Sequence, residues 1–183
     1  MSTSDSAFLS DRDQNIAIGF TGDRVPPAAR VSIGGLKNIG KRMTLFRTKQ
    51  LPVSRDAVAP DGSDVRTLLA LEGGGMSHFE LSAGHTSTAV THRTVGEIWF
   101  VLSGSGEMWR KQAQYEETIP IEAGVCLTIP LGTHFQFRAF GSEPLAALGV
   151  TMPPWPGEGE AVRVQGKWEP TVPDQSGASE IRR

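Results

Sequence analysis

From residue 67 to residue 151 the apolar residues come in short runs of five to seven, at 67–71, 76–82, 88–92, 97–103, 107–112, 117–121, 125–129, 134–139 and 145–151. The breaks carry turn chemistry: Gly73-Gly74-Gly75, Ala83-Gly84, Gly104-Ser105-Gly106, Pro130-Leu131-Gly132-Thr133 and Gly141-Ser142-Glu143-Pro144. Glycine reaches backbone angles other residues avoid, and proline removes a ladder donor, so each break ends a strand. Nine short strands at roughly ten-residue spacing predict an all-β sandwich or barrel. No stretch has the 3.6-residue period of a long amphipathic helix.

The flanks differ. Residues 1–42 are polar and Gly-rich without a sustained period, which predicts an arm, partly disordered or used in oligomer contacts, with Met43 a second candidate start. The barrel is expected over 43–153, with its core at about 65–153. Beyond it, Pro153-Pro154-Trp155-Pro156-Gly157 cannot sustain ladder pairing. Residues 154–183 are therefore expected to form an irregular tail anchored by Trp155 and Trp168.

Composition narrows the function classes. Eighteen basic against twenty acidic residues give a net charge of −2, so no global basic field favours nucleic acid or an anionic membrane. The single cysteine, Cys126, excludes an internal disulfide and is expected to pack as a small apolar side chain. No apolar run approaches the ~18 residues of a membrane helix, and no charged-then-apolar leader opens the chain. The expectation is a cytoplasmic protein.

Two spacings carry candidate chemistry. Gly84-x5-Val90-x-His92-x4-Glu97-x6-Gly104 is followed by Gly124-x5-Pro130-x-Gly132-x2-Phe135-x3-Ala139. Together they resemble the paired motifs of the cupin superfamily, G-x5-H-x-H-x4-E-x6-G and G-x5-P-x-G-x2-H-x3-N. Here Val90 and Phe135 stand where that family has histidines, and Ala139 where it has asparagine. The resemblance implies a double-stranded β-helix, or jelly-roll, barrel. It also implies an interior site at which three histidines and a glutamate would hold a divalent metal. This chain keeps His92 and Glu97 of those four, so a metal-free site is the favoured expectation, with Fe, Mn, Ni or Zn as the alternative.

The residues say more without the family. His92 and Glu97 are five apart and would face opposite sides of one straight strand. A turn at Arg93-Thr94-Val95-Gly96 is expected to place them on adjacent strands facing one cavity, as an acid/base or ligand-orienting pair. In 134–139 the alternation puts Phe135, Phe137 and Ala139 on one face and His134, Gln136 and Arg138 on the other. His134 is a third metal ligand only if the Gly132-Thr133 loop shifts that register. His85 reads as solvated in a turn and His78 as part of an exposed alternation.

Val90, Trp99, Phe135 and Phe137 share the inward parity and would line an apolar, aromatic ligand pocket. The strand from Glu97 is apolar on both faces, so its outer face needs a cover. The second sheet, the arm or a second subunit would each supply one, and a homodimer is the expectation drawn from the resemblance. Trp109-Arg110-Lys111 and Arg138 are a candidate basic rim for an anionic substrate.

The leading expectation is a cupin that binds a small molecule, an apolar or aromatic carboxylate, through His92 and Glu97. The alternatives are a metal-dependent oxygenase or isomerase with an unorthodox third ligand, a metal-free sugar-type epimerase, and a non-catalytic assembly protein. Epimerase chemistry of that kind also needs a pocket tyrosine, and the one tyrosine, Tyr115, falls in an expected loop.

Overall fold

The computed structural model describes residues 45–173. The arm expected at 1–42 and the end of the tail beyond residue 173 lie outside the described residues. Among the described residues every regular element is a strand: β1 (Ala57–Val58), β2 (Asp64–Leu71), β3 (Gly74–Leu81), β4 (Val90–His92), β5 (Gly96–Ser103), β6 (Ser105–Gln112), β7 (Tyr115–Glu122), β8 (Cys126–Ile129), β9 (His134–Phe140), β10 (Leu145–Met152) and β11 (Ala161–Arg163). No helix among them is long and apolar enough to cross a membrane.

The strands form two antiparallel sheets, one ordered β1-β2-β3-β10-β5-β8 and the other β11-β4-β9-β6-β7. This is the all-β architecture the strand rhythm predicts, in the jelly-roll form the resemblance implies. The inward residues of both sheets meet in one core, where Val101, Met108, Ile121, Ile129, Phe135 and Phe137 are each at most 2% exposed. Two motif glycines shape the barrel's turns. Gly104 has φ +76° in the one-residue link between β5 and β6, and a Cβ there would sit 2.4 Å from the carbonyl oxygen of Pro144. Gly132, at φ +78°, turns the chain between β8 and β9.

Several expectations need correction. Residues 161–163, inside the segment read as irregular, pair with β4, so the chain returns to the sheet after its prolines. Tyr115 opens β7 and is not in a loop, because only residues 113–114 are needed to close the β6–β7 hairpin. Cys126 is exposed: Leu127 and Ile129 take the inward positions of β8, and strand alternation sends the thiol outward. His78 is 5% exposed, since its imidazole is covered beside the Arg66 guanidinium, with Nδ1 3.4 Å from Nη1.

Gln136 departs most. Parity sends it away from the barrel interior as expected, yet it is fully buried, because residues 166–168 lie over it. Its Oε1 accepts from the backbone N–H groups of Lys167 and Trp168, both at 2.9 Å, and its Nε2 donates to the carbonyls of Ser87 and Trp168, both at 2.8 Å. All four hydrogen bonds an amide side chain can make are made.

Candidate functional site

His92 ends β4 and Glu97 follows at the start of β5, so the Arg93-Thr94-Val95 turn carries the chain from one sheet to the other. The two residues face each other across the barrel, not from adjacent strands of one sheet. The turn is held from a distance. Glu160 accepts from the backbone N–H of Thr94 at 2.6 Å, the Thr94 hydroxyl at 2.8 Å and the N–H of Val95 at 3.0 Å. Burial works against the Glu160 charge, but those donors, with His92 nearby, hold its carboxyl below the usual range.

The pair is dry. His92 is 7% and Glu97 4% exposed, with His92 Nδ1 3.8 Å from Glu97 Oε1. The other carboxyl oxygen, Oε2, accepts the indole N–H of Trp99 at 2.6 Å. Burial pulls the imidazole from its ordinary 6.5 down to about 4, against the opposing charge of Glu160. Burial likewise pushes the Glu97 carboxyl from 4.5 up to about 7, against the Trp99 bond and helped by Asp61. Between those values both groups are neutral, so the contact is not an ion pair. His92 Nδ1 is buried and has no hydrogen-bond partner.

Aromatic rings enclose the pair. Phe135 and Trp155 each stand edge-on to the His92 ring with centroids 5.2 Å away. Trp99 meets Phe137 edge-on at 5.2 Å and lies stacked on Phe79 at 5.2 Å. Val90, Trp99, Phe135 and Phe137 are all within this wall, none more than 2% exposed. Three residues that sequence reasoning did not assign to the site join it here: Phe79, Trp155 and Glu160. Trp155 lies among the prolines of the tail and Glu160 after them, and no local pattern links either to residues 92–97.

The donor set does not fit a divalent metal. Val90 and Phe135 contribute hydrocarbon, one Glu97 oxygen is committed to Trp99, and His134 occupies the opposite face of β9 from Phe135, paired in register with Lys111. Among the described residues no group of three or more His, Cys, Asp or Glu side chains converges. Two donors fall short of the three or four that protein sites supply.

The candidate basic rim is neutralised. Arg110 bonds Glu117 at 2.5 Å, Lys111 lies 3.4 Å from Glu116, and Arg138 bonds Glu107 at 2.6 Å while its guanidinium covers the Trp168 ring. Trp109 is buried and donates its indole N–H to Glu116. His85, half-buried, contacts the carbonyl of Ala83 in the turn expected for it.

Residues 77–151 match the family model of the cupin domain. With the two-sheet barrel and the paired motifs, this defines the class: the barrel of this chain is a cupin domain. Among solved structures it is similar to a Streptomyces PAC13 variant with uridine, at 16% identity and TM-score 0.51, covering 66% of this chain and 93% of that one. A second structure of Pac13, described as a unique nucleoside dehydratase, matches at 15% identity and TM-score 0.51, covering 65% and 92%. An oxalate decarboxylase matches at 16% identity and TM-score 0.52, covering 60% of this chain and 30% of that one. Likeness at such identities establishes the fold alone. No curated protein sequence matches the chain.

Proposed function

We propose that this cupin binds a small aromatic carboxylate in its barrel without a metal, with His92 and Glu97 as the polar end of the site. The observation that carries this reading is the unpartnered Nδ1 of His92, buried beside Glu97 inside an aromatic wall. Buried polar atoms are nearly always paired, and one left open at a family's functional position calls for an incoming partner. The aromatic wall suits a ring. A carboxyl that burial pushes up to about 7 is mostly protonated below about pH 6 and can then donate to a ligand carboxylate, while the neutral imidazole offers a second polar contact. Trp155, the half-exposed member of the wall, is the side chain that would swing aside to admit the ligand. The same pair is equipped to move a proton between ligand atoms, which favours metal-free acid–base chemistry as the second reading.

Titration of tryptophan fluorescence with benzoate and phenylacetate tests this. Saturable binding is expected, lost in His92→Phe, weakened at least tenfold in Glu97→Gln, and weakening in the wild type as pH rises above about 7. Absence of binding, or binding indifferent to His92→Phe, refutes the reading. So does stoichiometric metal in unchelated protein that disappears in His92→Ala.

The expected homodimer belongs to the same proposal. Ile98, Phe100 and Leu102 on the outer face of β5 are 41%, 46% and 40% exposed, an apolar row of the kind a second subunit would cover. Light scattering should return twice the chain mass, and the mass of one chain in Phe100→Glu.

A further inference from the structure

The chain between β10 and β11 leaves on one side of the His92–Glu97 pair and returns on the other. Met152, the last residue of β10, pairs with Gly96 beside Glu97, and Ala161, the first of β11, pairs with His92. Residues 153–160 therefore bridge the two sheets at the end of the barrel where the pair sits. Both ends of this bridge are fixed. Pro154 lies on Gly75 of β3, its Cα 3.7 Å from where a Cβ would stand. Glu160 is 4% exposed and bound four times to the β4–β5 turn: its carboxylate takes the three donors of Thr94 and Val95, and its carbonyl accepts the Arg93 N–H at 3.1 Å.

Between those ends the chain is held lightly. Trp155, 41% exposed, meets the barrel through its ring, which stands edge-on to His92. Pro156 has no N–H to donate, and Glu158 and Gly159 are exposed. Gly157 and Gly159 have φ of +120° and +80°, values that strain a residue carrying a Cβ. At neither does any atom beyond the chain neighbours come within 4 Å of where that Cβ would stand, so backbone conformation and not crowding calls for glycine. A five-residue link between two fixed points thus has two joints of its own.

What the link covers gives it a role. Two rings stand against the imidazole of His92, whose Nδ1 is buried without a partner. Phe135 is 1% exposed and belongs to the core, so Trp155 is the ring that can leave. We propose that residues 155–159 form a hinged cover over the His92–Glu97 pair, with Pro154 and Glu160 as its fixed ends and Gly157 and Gly159 as its joints. Opening lifts Trp155 off His92, while the Glu160 bonds keep the turn, and with it the spacing of the pair, in place. The inference rests on the ligand reading above for what the cover admits, and on the backbone alone for the motion.

Fluorine NMR of the full chain labelled with 5-fluorotryptophan tests the motion without a ligand. The four tryptophans give four resonances, and Trp155→Phe identifies the one from Trp155. The double variant Gly157→Ala/Gly159→Ala penalises the closed backbone without a clash. Its Trp155 resonance should move toward the solvent-exposed position, the ratio of open to closed rising roughly tenfold for each alanine, while Trp99 and Trp109 keep their wild-type shifts and show the barrel folded. His92 should titrate above its covered value of about 4 in this variant, as water reaches the imidazole between the Glu97 and Glu160 carboxyls. An unchanged Trp155 resonance overturns the proposal, as does an unchanged His92 titration. Relaxation dispersion of the wild-type Trp155 resonance decides the matter should the variant not fold: exchange on the μs–ms scale is expected, and its absence overturns the cover. If Trp155 behaves as expected and wild-type protein binds no benzoate, the ligand reading falls and the cover stands.

Discussion

Gln136 and His92 are both buried polar residues on neighbouring strands of one sheet, yet their hydrogen bonding is opposite. Gln136 makes all four bonds open to it, each with backbone, and so ties residues 87 and 167–168 to β9. His92 sits among rings with one nitrogen unpartnered and its proton affinity depressed. A fully satisfied buried amide adds specificity to the fold, because any displacement strands several groups at once. An unsatisfied imidazole costs stability, and on the proposed function it is the polar atom that an incoming ligand would meet. Burial alone does not separate the two residues; hydrogen-bond satisfaction does.

The comparison is broken most severely at Gln136. Gln136→Leu leaves the N–H groups of Lys167 and Trp168 and the carbonyls of Ser87 and Trp168 without their partner. We expect a loss of about 3–4 kcal/mol in denaturant unfolding, together with early proteolytic cleavage near residue 167. A wild-type midpoint in this variant would show that the amide does not hold the segment.

The next effect is a pH profile. Glu97, raised in the fold, contributes stability fully present below about pH 4.5 and lost as pH rises toward 7, whereas His92, lowered in the fold, contributes stability present above 6.5 and lost as pH falls toward 4. The opposed slopes should leave wild-type stability nearly level between pH 4.5 and 6.5. Glu97→Gln removes one slope, so its stability should climb by roughly 3 kcal/mol from pH 4 to 6.5. His92→Phe should instead lose stability between pH 4.5 and 7. Parallel profiles in all three proteins would mean that the two groups are not buried neutral.

The smallest effect concerns another unpartnered atom, Thr91 Oγ1, on the strand between Val90 and His92. Thr91→Val removes a buried hydroxyl that makes no bond and keeps the β-branched shape. Stability should be unchanged or higher by up to about 1 kcal/mol. A clear destabilisation would show that the hydroxyl is partnered in solution and would weaken the same argument for His92.

Much of the barrel was legible because its information is local. Alternation in 134–139 put Phe135 and Phe137 inside, and the motif spacing singled out His92 and Glu97, whose separation of five residues demands a turn. The glycines that end strands were equally plain, since a positive φ at Gly104 or Gly132 is a property of one residue. The strand bounds were less so: β11 follows a proline cluster that argues against any ladder, and Tyr115 opens a strand because two residues suffice to close the β6–β7 hairpin.

What the sequence determined by itself was the strand period, the turns and the hydrocarbon side chains of Val90 and Phe135 at inward positions, all set by neighbours within a few positions. The tertiary structure decided the rest. It buried Gln136 under residues 166–168, brought Trp155 and Glu160 to the His92 turn, and paired every rim cation with a carboxylate. These contacts join residues tens of positions apart or set side chains across strand pairs. Which polar group ends up satisfied, neutral or open depends on the low-dielectric surroundings that only packing creates.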